Sequence, residues 1–179
     1  MTNSIRFLHH PTSQPCRAVH QFMLENNIAF EDEVVDLLVG ANETEEFKSK
    51  YNPTGQVPII CDGDFVVWES AAIGSYLNEK FEAPAHWFGA TPKERALVQQ
   101  TCHWYATYLR RGGGAFFYTH FAECIWGNRD YSAEIAKGRY TLDESLAFME
   151  TWLGKTKYLC TNDITFADLL AYHELVSHV

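Results

Sequence analysis

The sequence predicts an α/β domain of element order βαβαββα, followed by an all-helical domain. Three observations predict it. Short β-rich runs alternate with helical patterns up to about residue 82. Residues 82–92 then carry two prolines, a glycine and few periodic apolar positions, the composition of a connection. Everything after that is helical in pattern. The expected division is a first domain over 1–82, a linker over 83–92 and a helical domain over 93–179.

Each element has its own signal. Ile5 to Leu8 reads as a strand, closed by Pro11-Thr12-Ser13. From Pro15 a helix follows, because Cys16, Val19 and Met23 share one face and proline suits a first helical position, where its missing N–H would be unpaired anyway. It is expected to stop near Asn26-Asn27. Phe30 to Asp36 alternates as a second strand, Gly40-Ala41-Asn42 breaks the chain, and Thr44 to Tyr51 forms a short polar helix.

Asn52-Pro53-Thr54-Gly55 is a turn. Val57 to Cys61 and Phe65 to Trp68 flank an Asp62-Gly63 turn and read as a hairpin. Ser70 is a good N-cap for a helix over Ala71 to Phe81 with Ile73, Tyr76 and Leu77 inward. Later helices are expected over Lys93 to Arg111, Phe116 to Trp126, Ser132 to Leu153 and from Phe166 onward, with Gly112-Gly113-Gly114 interrupting the first pair. Thr165-x-x-Asp168 is a capping box that starts a core helix.

Composition narrows the function. Fourteen basic residues against twenty-three acidic ones give a net charge of −9, with no basic run longer than Arg110-Arg111, so a phosphate backbone is repelled and nucleic acid is a poor partner. No segment approaches the roughly eighteen apolar residues of a membrane span, and no secretory leader pattern is present. A soluble cytoplasmic protein is the expectation. Five cysteines at irregular spacing, without a C-x-x-C pair, argue against a disulfide framework and a zinc site, and the eight histidines show no H-E-x-x-H spacing. No metal is expected.

The stretch Ser13-Gln14-Pro15-Cys16 carries the chemical question. A dithiol redox motif at this place, between a strand and a helix, would read C-x-P-C, and here serine holds the first position.

The order βαβαββα is thioredoxin-like, and the motifs Ser-Gln-Pro-Cys-Arg-Ala-Val, Val-Asp-Leu, Asn-Pro-x-x-x-Val-Pro, Asp-Gly-Asp-Phe and Glu-Ser follow one another along it. With Leu109-Arg110-Arg111 and Ile164-Thr165-Phe166-Ala167-Asp168-Leu169-Leu170, the chain resembles a glutathione S-transferase of the theta class over nearly its whole length.

The resemblance implies glutathione as co-substrate and the following roles. A free thiol has a pKa near 8.5, so little of it is thiolate at pH 7, and lowering that value by about two units takes roughly 2.7 kcal/mol, within reach of one hydroxyl donor plus a helix N-terminus. Ser13 is that donor, holding the sulfur of glutathione as an anion. Val57 supplies a sheet edge to which the peptide adds, with Pro58 in the cis form. Glu69 and Ser70, at a helix N-terminus, receive the γ-glutamyl ammonium and carboxylate. Asn42 and Gln56 serve the glycyl end, where the theta-like pattern usually has histidine and lysine; the neutral amides predict weaker binding by about 1–3 kcal/mol. Arg110 matches a position facing the electrophile pocket. His103, Trp104, Tyr108 and Phe117 are aromatic neighbours of unfixed orientation.

The leading expectation is attack by the glutathione thiolate on a small hydrophobic electrophile such as an alkyl halide, an epoxide or an organic hydroperoxide. The family also implies a homodimer. A binding or scaffold protein of low turnover is the rival reading, motivated by Asn42, Gln56 and a helical domain that is short beside the family pattern. A Cys16-dependent thiol reductase is the third, although Cys16 lies on the Val19/Met23 face and reads more simply as a small buried hydrophobe.

Overall fold

The computed structural model describes residues 4–115 and 130–176. The chain divides into two compact units, Met1–Pro84 and Ala85–Val179.

The first unit is a four-stranded sheet in the order β2-β1-β3-β4, built from β1 (Ile5–His9), β2 (Phe30–Val34), β3 (Ile59–Asp62) and β4 (Phe65–Trp68). β1 and β2 are parallel, whereas β1/β3 and β3/β4 are antiparallel. Three helices complete it: α1 (Gln14–Glu25), α2 (Glu45–Lys50) and α3 (Ser70–Lys80). Alternation of side chains along β1 gives the sheet two faces. Phe7 meets His20 of α1 on one; Leu8 joins Val35, Phe47 of α2, Ile59 and Cys61 on the other.

Two boundaries differ from the sequence reading for visible reasons. β3 begins at Ile59, not Val57, because its ladder to β1 starts with Ile59 opposite Leu8. The helix α3 starts at Ser70, with Glu69 in the capping position at φ 74° and no side-chain capping bond, so Ser70 is the first helical residue and not the cap.

The second unit begins earlier than the expected Lys93. Trp87 is buried, Phe88 stacks on Phe166 with centroids 5.3 Å apart, and His86 Nδ1 lies 2.7 Å from the carbonyl oxygen of Ile164, so most of the expected linker is anchored in this unit. α4 (Pro92–Trp104) opens with a capping box in which Thr91 and Glu94 exchange hydrogen bonds. It passes into a π-helical turn, Tyr105–Leu109, and the backbone stays helical through residues 110–115.

The expected interruption at Gly112-Gly113-Gly114 is therefore corrected. A Cβ on Gly112 would come within 2.7 Å of the backbone nitrogen of Leu142, so this glycine permits two helices to cross closely. The partner helix is α5 (Ser132–Leu153), followed by α6 (Phe166–Leu175), whose face of Phe166, Ala167, Leu169, Leu170 and Ala171 is buried. Asp168 Oδ2 accepts hydrogen bonds from the Thr165 N–H and hydroxyl, which fixes the start of α6. The expected helix over Phe116 to Trp126 lies outside the described residues, as does Phe117.

Candidate functional site

Sheet register gathers most of the expected residues at one end of the first unit. Leu8 faces Ile59, and Ile59 faces Trp68. The last residues of β1 and β4 and the first of β3 therefore share one edge. Just beyond that edge come Ser13 after β1, Val57-Pro58 before β3, and Glu69-Ser70 after β4.

Ser13 is half-buried at the N-terminus of α1. Its backbone is extended (φ −76°, ψ 119°) and its side chain makes no capping bond, so the hydroxyl is not committed to the helix it precedes. The loop that carries it is pinned. The Ser13 N–H donates to the His10 carbonyl at 3.0 Å, and its own carbonyl accepts from Arg17 N–H at 3.1 Å. Arg17 Nη1 also donates to the carbonyls of Pro11 and Thr12, both at 3.2 Å. Arg17 was not singled out in the sequence, yet its place four residues after Ser13, one helical turn on, was the available signal.

The Val57–Pro58 bond is cis, and Pro58 is buried while Val57 is half-buried. Glu69 is a non-glycine residue at positive φ, a conformation that costs on the order of 1–3 kcal/mol and collects at ligand sites. The residue is exposed, and its carbonyl accepts the Ile73 N–H at 2.9 Å.

The turn before Val57 is organised by a residue the sequence reading passed over. Asn52, 2% exposed, donates through Nδ2 to the Gln56 carbonyl at 2.9 Å, while its Oδ1 accepts from the Thr54 N–H at 3.0 Å and hydroxyl at 2.9 Å. Gln56 itself is exposed. Asn42 Nδ2 donates to the Gly55 carbonyl at 2.7 Å and to Glu43 Oε1 at 3.1 Å. Both amide hydrogens of Asn42 thus hold the loop.

Several other groups fall outside the site chemistry. Cys16 is fully buried, and Cys61, Cys102 and Cys160 are buried; burial pushes the Cys102 thiol up to about 12 and raises those of Cys61 and Cys160. His9 is a core histidine, stacked on Phe7 with its Nε2 2.6 Å from Asp32 Oδ1. Among the described residues no group of three or more His, Cys, Asp or Glu side chains is arranged to hold a metal ion. No helix of the described residues is long and apolar enough to cross a membrane. In the second unit Arg110 Nη1 is 3.1 Å from Oε1 of the buried Glu174. Trp104 packs edge-on against Trp152, whereas Tyr108 and His103 are exposed.

Comparison with known proteins completes the picture. The family model "Glutathione S-transferase, N-terminal domain" matches residues 7–85, and "Glutathione S-transferase, C-terminal domain" matches residues 114–178. A dichloromethane dehalogenase of Methylophilus leisingeri is 54% identical over 99% of this chain, and one of Methylorubrum extorquens is 50% identical over 98%. The chain spans 67% and 62% of the length of these two relatives. The structure of human glutathione transferase theta-2, in complex with glutathione and an unknown ligand, superposes with a TM-score of 0.89 at 31% identity, over 97% of this chain and 71% of that one. With an uncommitted serine hydroxyl at the first helix, a cis proline before the third strand and a sequence related to these enzymes over nearly its full extent, the chain belongs to the glutathione S-transferase family and is theta-class-like.

Proposed function

We propose that the chain binds glutathione at this end of the sheet of its first unit, that Ser13 holds the sulfur as a thiolate, and that the thiolate displaces halide from a small alkyl halide. The carrying observation is the Ser13 hydroxyl, placed at the N-terminus of α1 and not used to cap it. In the step, the thiol proton passes to solvent on binding, the sulfur forms a bond to carbon, and the carbon–halogen bond breaks with its electron pair leaving on the halide. Ser13 supplies a preorganised donor to the anion, and the positive end of α1 adds to it.

The relatives named for dichloromethane favour a dihalomethane over the epoxides and hydroperoxides that the same thiolate could also serve. Val57, with cis Pro58, offers its backbone to the cysteinyl residue; Glu69 and the first turn of α3 receive the γ-glutamyl ammonium and carboxylate. Gln56 serves the glycyl end, and Asn42 supports it through the Gly55 carbonyl. Arg110 serves the electrophile while Glu174 holds it in place. The working form is a cytoplasmic homodimer, checked by sedimentation.

Calorimetric titration with glutathione at two pH values tests the reading, with halide release from dichloromethane measured alongside. Ser13→Ala is expected to abolish proton release on binding and to lower kcat/KM by about 10²–10³-fold. Unchanged turnover in Ser13→Ala would overturn the role of Ser13. Because both amide hydrogens of Asn42 are engaged within the loop, a second reading stands, a binder of low turnover; glutathione raising the melting temperature without halide release from any alkyl halide would favour it.

A further inference from the structure

Asn42 and Gln56 leave the glycyl carboxylate of glutathione without a positive partner, yet a cation stands beside the turn that carries Gln56. Lys48, on α2, pairs with Glu43 at 2.8 Å between Nζ and Oε2. Its stem packs over Gly55: a Cβ built on Gly55 would lie 3.0 Å from Lys48 Cε, 3.0 Å from the Asn42 carbonyl oxygen and 3.5 Å from Glu43 Oε1. Gly55 has φ 66°, so glycine satisfies both the backbone and the close approach.

Direction of the bound peptide decides what Lys48 can meet. A peptide that adds antiparallel to Val57 runs against the protein chain, so its C-terminal end lies beside the residues that precede Val57. Those residues are Gln56 and Gly55. Two residues of extended chain span at most about 7 Å, which brings a glycyl carboxylate alongside Gly55 and under the reach of a four-carbon lysine stem. Its other end then points toward Glu69-Ser70, which follow Trp68 where β4 faces the start of β3.

We infer that Lys48 is the cation for the glycyl carboxylate of glutathione, taking it in exchange for Glu43. The assignment rests on the proposed glutathione site. Glu43 has a side-chain exposure of 62%, so it returns to water when released, and a pair with one partner this exposed is weak enough to exchange. The carboxylate of the peptide thus finds a full positive charge supplied from α2, in place of the positions held by Asn42 and Gln56. Specificity follows: a free C-terminal carboxylate is favoured over an ester or an amide.

Calorimetry with glutathione and with its glycyl monoethyl ester tests this in the parent, Lys48→Met, Lys48→Arg and Glu43→Gln proteins. The parent is expected to prefer glutathione about tenfold, and Lys48→Met to weaken glutathione about tenfold while leaving the ester unchanged, so that the preference disappears. Lys48→Arg keeps the preference, and Glu43→Gln enlarges it. A preference that survives intact in Lys48→Met overturns the assignment and leaves the glutathione site standing. Absence of binding by either peptide to the parent overturns the site itself and this assignment with it.

Discussion

Arg110 and the carboxylate of Glu174, which has no solvent exposure, are paired at 3.1 Å, and Tyr105 donates its hydroxyl to the same carboxylate at 3.1 Å. The π-helical turn makes this possible. Residues five apart on an α-helix point about 140° away from one another. The wider turn over Tyr105–Leu109, closed by the Arg110 N–H on the Tyr105 carbonyl, brings Tyr105 and Arg110 back to one face.

Removal of the buried acid takes the ion-pair partner from a half-buried guanidinium and the acceptor from a buried phenol. Glu174→Ala is therefore expected to cost about 3–5 kcal/mol in urea unfolding, and Glu174→Gln, which keeps the shape and loses the charge, less. A cost for Glu174→Ala below about 1 kcal/mol would show that the pair contributes little.

Asp62, Tyr76 and Lys80 predict a pH dependence. Both Lys80 and Tyr76, one turn apart on α3, donate to the Asp62 carboxylate at the end of β3, and these two bonds, Lys80 first, hold its pKa below the usual carboxylate value. A carboxyl with a depressed folded pKa stabilises the fold above its unfolded value of about 4 and loses that contribution as pH falls through the folded one. The same Asp62 bond raises Lys80, whose contribution is present below about pH 10 and lost as pH rises through its folded value. Asp62→Asn is accordingly expected to cost about 1 kcal/mol at pH 7, read as a drop in Tm, with the gap from the parent closing at pH values below the folded pKa. A gap that stays constant down to pH 2 would contradict this.

Strand and helix order was legible because apolar periodicity and turn residues carry it, and the place of Ser13, Val57, Pro58, Glu69 and Ser70 just beyond one end of the sheet followed from that order. What escaped depended on side chains meeting across the fold. Asn52 looked like one more turn residue, since nothing local shows which carbonyl its amide reaches. Lys48 and Glu43 carry no local sign of a pair, since they are five residues apart and Glu43 lies before the helix that holds Lys48. Glu174 left a trace that could have been used: an acid four residues after Leu170, on the apolar face of α6, implies a buried partner. The glycine run was misread because helix propensity disfavours glycine, whereas close crossing requires it.

Asn52→Ala separates loop order from chemistry. Loss of its amide frees the Gln56 carbonyl and the Thr54 N–H, and because that carbonyl belongs to an exposed residue, water replaces part of the loss. A destabilisation of about 1–2 kcal/mol is expected, together with a several-fold rise in KM for glutathione and little change in kcat. A fall in kcat with KM unchanged would place Asn52 in the chemical step instead.

Gly112→Ala sets two effects of opposite sign against each other. Alanine is favoured over glycine inside a helix by about 1 kcal/mol, and residues 110–115 are helical, so propensity alone predicts a more stable protein. Space predicts the reverse. The added Cβ would lie 2.7 Å from Leu142 N, 3.0 Å from the carbonyl carbon of Thr141 and 3.1 Å from Leu142 Cα, all backbone atoms of α5 that no rotamer change can move aside. Overpacking of this kind costs about 1–3 kcal/mol and a rigid backbone neighbour puts it at the upper end, so a net loss of about 1–2 kcal/mol is expected in urea unfolding. If Gly112→Ala instead raises stability, the crossing of these two helices is looser than the structure shows.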